Sequence, residues 1–177
     1  MRITVLLIAL ALVLTIPVSS FADEEEVEWD GITFELENLD GDDMTEEEVF
    51  TGGKIYLVDF WASYCRPCSE YLPHLEDMVD EYGEDGFSVV IFCVDDAGSV
   101  STAKSTLVAE DYPFTILFDT EQDVKNELGV RSIPTTVIFD QSGEELWRHV
   151  SYSTGDEEEV REVVEELLYA DEEEEEE

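Results

Sequence analysis

Residues 55–68 read Ile55-Tyr56-Leu57-Val58-Asp59-Phe60-Trp61-Ala62-Ser63-Tyr64-Cys65-Arg66-Pro67-Cys68. The first seven form a near-continuous apolar run, the pattern of a strand buried on both faces. Leu72, Leu75, Met78, Val79 and Tyr82 then fall at helical spacing. They predict a helix from Arg66 to about Tyr82, kinked at Pro73. A buried strand thus runs directly into a helix that opens on a Cys-x-x-Cys pair.

Downstream of this unit the alternation continues. Segments 87–94, 114–118 and 135–139 read as strands, and 99–109 and 120–128 as helices. Gln141-Ser142-Gly143 turns the last of these strands into 144–149, making a hairpin. In 156–169, Val160, Val163, Val164, Leu167 and Leu168 form one apolar stripe. Upstream, 32–36 alternates like a strand and Leu39-Asp40-Gly41-Asp42 closes it. Thr45-Glu46-Glu47-Glu48 has capping-box spacing before a short helical turn. The order predicts an α/β domain over 31–169, a central mixed β-sheet flanked by helices on both faces.

The ends have a different composition. Residues 1–22 carry Arg2, an apolar run over 3–16 and then Ser20-Phe21-Ala22, the layout of a signal peptide cleaved before Asp23. The run is shorter than the roughly 20 apolar residues of a spanning helix. Membrane contact is expected only if the segment stays uncleaved. Export to the periplasm, cell envelope or exterior follows. Residues 23–30 read as an acidic flexible segment, and 170–177 as a solvated acidic tail.

Charge excludes some partners. The chain has 47 Asp+Glu against 8 Lys+Arg, a formal net charge of −39. Such a surface repels the phosphates of nucleic acids and anionic lipids. Solubility or salt adaptation accounts for the acidity without a specific partner.

Three cysteines are present, Cys65, Cys68 and Cys93. So low and odd a count argues against a disulfide-stapled scaffold. A tetrahedral zinc site needs a second ligand pair, and Cys93, His74 and His149 are widely spaced. No metal is expected. Cys93 reads as core, and the two histidines as surface or packing residues.

At a helix start, free backbone N–H groups and the helix dipole favour thiolate at Cys65. Arg66 adds positive charge beside it. Pro67 suits the first helical turn, where its missing N–H costs nothing. The spacing permits Cys65 to attack a disulfide and Cys68 to resolve the adduct. A static disulfide, or two unrelated core cysteines, fits the same spacing.

Residues 58–68 resemble the active-site segment of the thioredoxin superfamily. Gly129-Val130-Arg131-Ser132-Ile133-Pro134-Thr135-Thr136 is similar to its cis-proline loop, and Pro73 to the proline that kinks its active-site helix. The long stretch between Phe87 and Pro134 and the N-terminal segment resemble the exported TlpA/ResA branch. The similarity spans about residues 32–168. It implies a thioredoxin-like fold and an exported protein-disulfide oxidoreductase, with no cofactor. Its partners would be protein thiol/disulfide substrates and a redox partner protein, and the chain is expected to be a monomer. It implies that Pro134 follows a cis bond and that the Ile133 backbone pairs with substrate. Asp59 would be the proton acceptor for Cys68, its pKa raised by burial. Trp61 and Tyr64 would flank the site as an apolar contact surface. Proline at the second intervening position is like the reductant-type members, so reduction of substrate is the expected direction.

Two departures stand out. Tyr71 occupies the position where many members carry Glu, and Glu70, one helical step earlier, points elsewhere. Arg66-Pro67 replaces the Gly-Pro of cytosolic thioredoxins. Two other functions compete. A peroxidase of related fold would carry Pro-x-x-x-Thr/Ser-x-x-Cys, and no such proline precedes Cys65. A calcium-buffering protein on this fold would use the acidic tail, with weak, non-specific affinity in the absence of EF-hand spacing.

Overall fold

A computed structural model describes residues 29–174, with side chains to residue 170. The predicted signal segment and residues 23–28 lie outside it. Strand β1 (Glu35–Glu37) pairs antiparallel with β2 (Asp43–Thr45) in a small hairpin, and α1 (Glu46–Val49) follows. The predicted capping contact is present: the Glu48 carboxylate accepts the Thr45 N–H at 3.0 Å. Strand β1 starts later than the alternation suggested. Strand β2, built of Asp43-Met44-Thr45, had too short a pattern to read as a strand.

Strand β3 (Ile55–Trp61) is buried along its whole length, as its apolar run requires. Helix α2 (Arg66–Tyr82) leads to β4 (Phe87–Cys93), and α3 (Val100–Glu110) to β5 (Thr115–Phe118). Helix α4 (Asp123–Glu127) precedes the hairpin β6 (Thr135–Asp140) and β7 (Glu145–Val150), and α5 (Asp156–Glu174) ends the described chain. The sheet order is β5-β4-β3-β6-β7. Strand β3 pairs parallel with β4 and antiparallel with β6, which makes the sheet mixed.

Register sorts the two faces. Ile55, Leu57, Asp59 and Trp61 point one way, and Tyr56, Val58 and Phe60 the other. Helix α2 covers the Asp59 face: its Tyr82 meets the ring of Phe87, which pairs with Ile55. Helix α5 joins α2 there, where the Tyr82 hydroxyl donates to Glu165 at 2.6 Å and Arg161 pairs with Glu81. On the opposite face Phe60 stacks on Phe92 and Phe50, after α1, packs on Tyr56. The expected α/β architecture with helices on both faces is present. Among the described residues no helix is long and apolar enough to cross a membrane.

Both ends differ from expectation. The Trp29 side chain packs into the fold, and the exposed Asp30 is hydrogen-bonded to it through its backbone rather than flexible. The Trp29 ring stacks on Phe50 at 3.9 Å, and its Nε1 donates to the Ile32 carbonyl at 3.0 Å. The Asp30 N–H donates to the Ser142 carbonyl at 2.8 Å. The approach is close: Gly143 has φ +89°, and a Cβ there would lie 2.5 Å from the Gly31 nitrogen. One aromatic side chain with a large apolar area outweighs the acidic residues before it. At the other end α5 continues to Glu174, past the predicted stop at 169. Glu is a good helix former, and the buried stripe Val160, Val164 and Leu168 anchors the helix that the acidic run extends.

Candidate active site

The chain leaves β3 at Trp61 and turns at once. The Cys65 N–H donates to the Ala62 carbonyl at 2.9 Å, and α2 begins at Arg66 with Cys65 as its N-cap. The Cys68 N–H, one of the orphan donors of the first turn, points at Cys65 Sγ at 3.3 Å. Cys65 and Cys68 are joined in a disulfide, their Cα atoms 5.3 Å apart. Their exposure is unequal: Cys65 keeps 7% of its surface and Cys68 none.

The turn before Cys65 is held from outside its own segment. Ser63 donates to the buried Asp95 carboxylate twice, through its N–H at 2.7 Å and its hydroxyl at 2.6 Å. The Cys93 thiol also faces Asp95, at 3.5 Å. Cys93 is buried, and desolvation, followed by the neighbouring Asp95 charge, pushes its thiol up to about 12. It is inert core, as read. Asp95 was not singled out in the sequence. The available signal was a carboxylate directly following a buried strand.

Asp59 is fully buried on the α2 face of β3. One oxygen accepts the Thr136 hydroxyl at 2.9 Å, across the β3–β6 ladder where the two residues pair. The other has no partner among the described residues. Burial raises the carboxyl pKa to about 8, and the Thr136 bond opposes this only in part. Thr136 lies inside the quoted loop motif, but its bond to Asp59 spans 77 residues and was not legible.

Ile133–Pro134 is a cis peptide, as the loop resemblance implies. Register carries β6 from the Asp59–Thr136 pair towards the end of β3, so the loop lies beside the start of α2. Pro134 is buried, and its carbonyl accepts the Ser151 N–H at 2.9 Å. Ile133 is half-buried.

The expected aromatic contact surface is corrected by half. Tyr64 stands 69% exposed next to Cys65, whereas Trp61 is 1% exposed. Trp61 ends a fully buried strand and is core, so it offers no surface to a substrate. Arg66 is also less direct than expected. It reaches out to Glu70 at 2.7 Å in an exposed ion pair, which divides and screens its charge. Tyr71 is buried and stacks on Tyr152 at 4.7 Å. Both histidines sit near carboxylates: His74 at 3.9 Å from Glu157 and His149 at 3.6 Å from Asp156.

This site has known counterparts. The AhpC/TSA family matches residues 30–144. The "Thiol-disulfide oxidoreductase ResA" of Halalkalibacterium halodurans is 31% identical over 157 residues, 87% of either chain. The protein of the same description from Oceanobacillus iheyensis is 28% identical over 148 residues, 81% of this chain and 76% of its own. Among solved structures, a putative thiol:disulfide interchange protein DsbE from Chlorobium tepidum superposes with a TM-score of 0.71. It is 27% identical, over 80% of this chain and 96% of its own. With a cysteine pair at the start of α2 and a cis-proline loop beside it, the chain belongs to the AhpC/TSA family and is a TlpA/ResA-like thiol–disulfide oxidoreductase of the thioredoxin superfamily.

Proposed function

We propose that the chain is an exported reductase of protein disulfides, in which Cys65 attacks, Cys68 resolves and Asp59 takes the resolving proton. The observation that carries this reading is the inequality of the two sulfurs above a buried carboxyl. Cys65 keeps a small exposed surface beside the exposed Tyr64, and Cys68 keeps none, on the helix that packs over the Asp59 face of β3.

The reaction starts from the dithiol. Cys65 thiolate attacks one substrate sulfur, and the second substrate sulfur leaves with the electron pair of the broken bond and takes up a proton. Cys68 then gives its proton to Asp59 and attacks Cys65 Sγ. The mixed disulfide breaks and the first substrate sulfur leaves as thiolate. The substrate gains two electrons, and Cys65–Cys68 becomes a disulfide that a dithiol partner protein must reduce. Substrate would lie along the Ile133–Pro134 loop, with Tyr64 as its exposed aromatic contact. Pro67, in the first turn of α2, and Arg66 would tune the pair. The arrangement of residues 1–22 supports action outside the cytosol, where such substrates form.

The reduction potential of the Cys65–Cys68 couple tests the direction. A value in the range of thioredoxin-like reductants, with reduction of a peptide disulfide by the dithiol form, supports it. A potential near that of strong oxidases, at about −120 mV, reverses the direction and leaves the site intact.

A further inference from the structure

Three buried side-chain N/O atoms lack a hydrogen-bond partner among the described residues: Asp59 Oδ2, Tyr71 Oη and Trp61 Nε1. Buried polar groups are nearly always paired, because an unmade bond leaves the full desolvation cost. Here the exceptions gather in one layer, between β3 and α2. Asp59 and Trp61 share a face of the strand. Tyr71 is three residues past Cys68, on the same buried side of the helix.

Of the two candidate donors, Tyr71 is the one coupled to Asp59. The Asp59 charge is the largest acting on its hydroxyl. Thr136, which bonds Asp59, also lies close to that hydroxyl without completing a full hydrogen bond. The Trp61 indole stands two residues along the same face of β3, whereas Tyr71 comes from the helix that covers that face.

We propose that Tyr71 is a positioning residue for the exchange reaction: its hydroxyl donates to Asp59 Oδ2 when the carboxylate is ionised, and holds it ready for the Cys68 proton. The proposal rests on Asp59 being the proton acceptor. A protonated Asp59 makes little demand for a second donor. The ionised form does, and it must exist before Cys68 can hand over its proton. A donor at the free oxygen stabilises that form and enlarges its share near neutrality. Tyr71 keeps its own proton throughout, because burial and then the Asp59 charge push its hydroxyl pKa upward.

The groups facing this carboxyl come from each packed element. Helix α2 brings Tyr71, with the buried Cys68 one turn before it, β6 brings Thr136, and β4 brings the apolar Ile91. Behind Tyr71 lies Tyr152, whose hydroxyl donates to Glu157 of α5 at 2.8 Å, and His74 stands next to Glu157.

Tyr71→Phe in the whole chain tests the proposal, since it removes one hydroxyl and leaves the ring. Two midpoints are read in the dithiol protein: the Asp59 carboxyl ¹³C titration, and the pH profile of single-turnover oxidation by a disulfide peptide. Tyr71→Phe is expected to move both upward by roughly one pH unit. The rate at the high-pH limit should stay within about twofold of the parent. Unmoved midpoints overturn the proposal, including the case where rate falls equally at every pH. Asp59→Asn separates the two readings. If it leaves the kinetic ionisation in place, Asp59 is not the proton acceptor. If it abolishes that ionisation while Tyr71→Phe moves nothing, the role of Tyr71 alone fails.

Discussion

Ser63 and Asp95 are 32 residues apart in sequence and share two short hydrogen bonds, at 2.6 and 2.7 Å. The pair ties the end of β4 to the turn that delivers Tyr64 and Cys65. Asp95→Ala leaves both Ser63 donors without their acceptor. We expect a loss of about 2–4 kcal/mol in stability, read from denaturant unfolding. Disulfide exchange should fall about tenfold as the turn loosens. Asp95→Asn, which keeps an acceptor, should lose less of both. Parent-like exchange in Asp95→Ala would show that the turn holds itself.

The raised Asp59 carboxyl links stability to pH. Its folded pKa of about 8 lies above the ordinary 3.8, so the folded protein holds a proton that the unfolded chain releases. This group's contribution is fully present below about pH 4 and is lost as pH rises towards 8. Asp59→Asn removes the penalty. The stability difference between Asp59→Asn and the parent should therefore grow in favour of Asn between pH 4 and 8. Parallel curves for the two proteins across that window would falsify the burial argument.

Unequal exposure of the sulfurs sets opposite fates for two serine variants. Cys68→Ser should accumulate a stable mixed disulfide with a peptide disulfide, visible as an added mass that thiol reductant removes. Cys65→Ser should form no adduct and lose exchange altogether. Adducts on Cys65→Ser would mean that Cys68 is reachable and the order of attack is wrong. Full biological function of Cys65→Ser would instead favour the buffering role of the acidic tail.

Peroxide chemistry gives a further check. Supplied with a dithiol reductant, the chain is expected to consume hydrogen peroxide no faster than the reductant does alone. Robust turnover under those conditions would reassign Cys65 as a peroxidatic cysteine.

Trp29 tests the revised domain boundary. Its ring stacks on Phe50 and meets Tyr56 and Phe139 edge-on. Trp29→Ala should cost about 3 kcal/mol, measured by chemical denaturation. A change within 0.5 kcal/mol, about the size of an ordinary surface substitution, would return Trp29 to the flexible segment.

Much of this was legible from short-range pattern. Strand β3 and helix α2 were readable because continuous burial and helical spacing are local properties of residues 55–82. The cysteines and Pro134 were readable because a motif keeps its residues together in sequence. What escaped was long-range or isolated. The Asp95–Ser63 and Thr136–Asp59 bonds join residues that only the sheet brings together. Trp29 is one aromatic residue beside an acidic run, and no periodicity marks its packing. The resemblance implies a surface role for Trp61, but this residue ends a strand that is buried along its whole length. Strand alternation turns Trp61 inward, and only the loop after it emerges.

The sealed position of Cys68 has a consequence for traffic through the site. With Cys65 as the attacking sulfur, as proposed, every partner, whether it brings electrons or takes them, must dock at the same atom. Donor and acceptor proteins cannot bind together, so the cycle is a ping-pong in which each waits for the other to leave. A reagent that caps Cys65 closes both half-reactions at once, and the rate of the full cycle is bounded by how quickly one partner vacates the Tyr64 side of the molecule for the next.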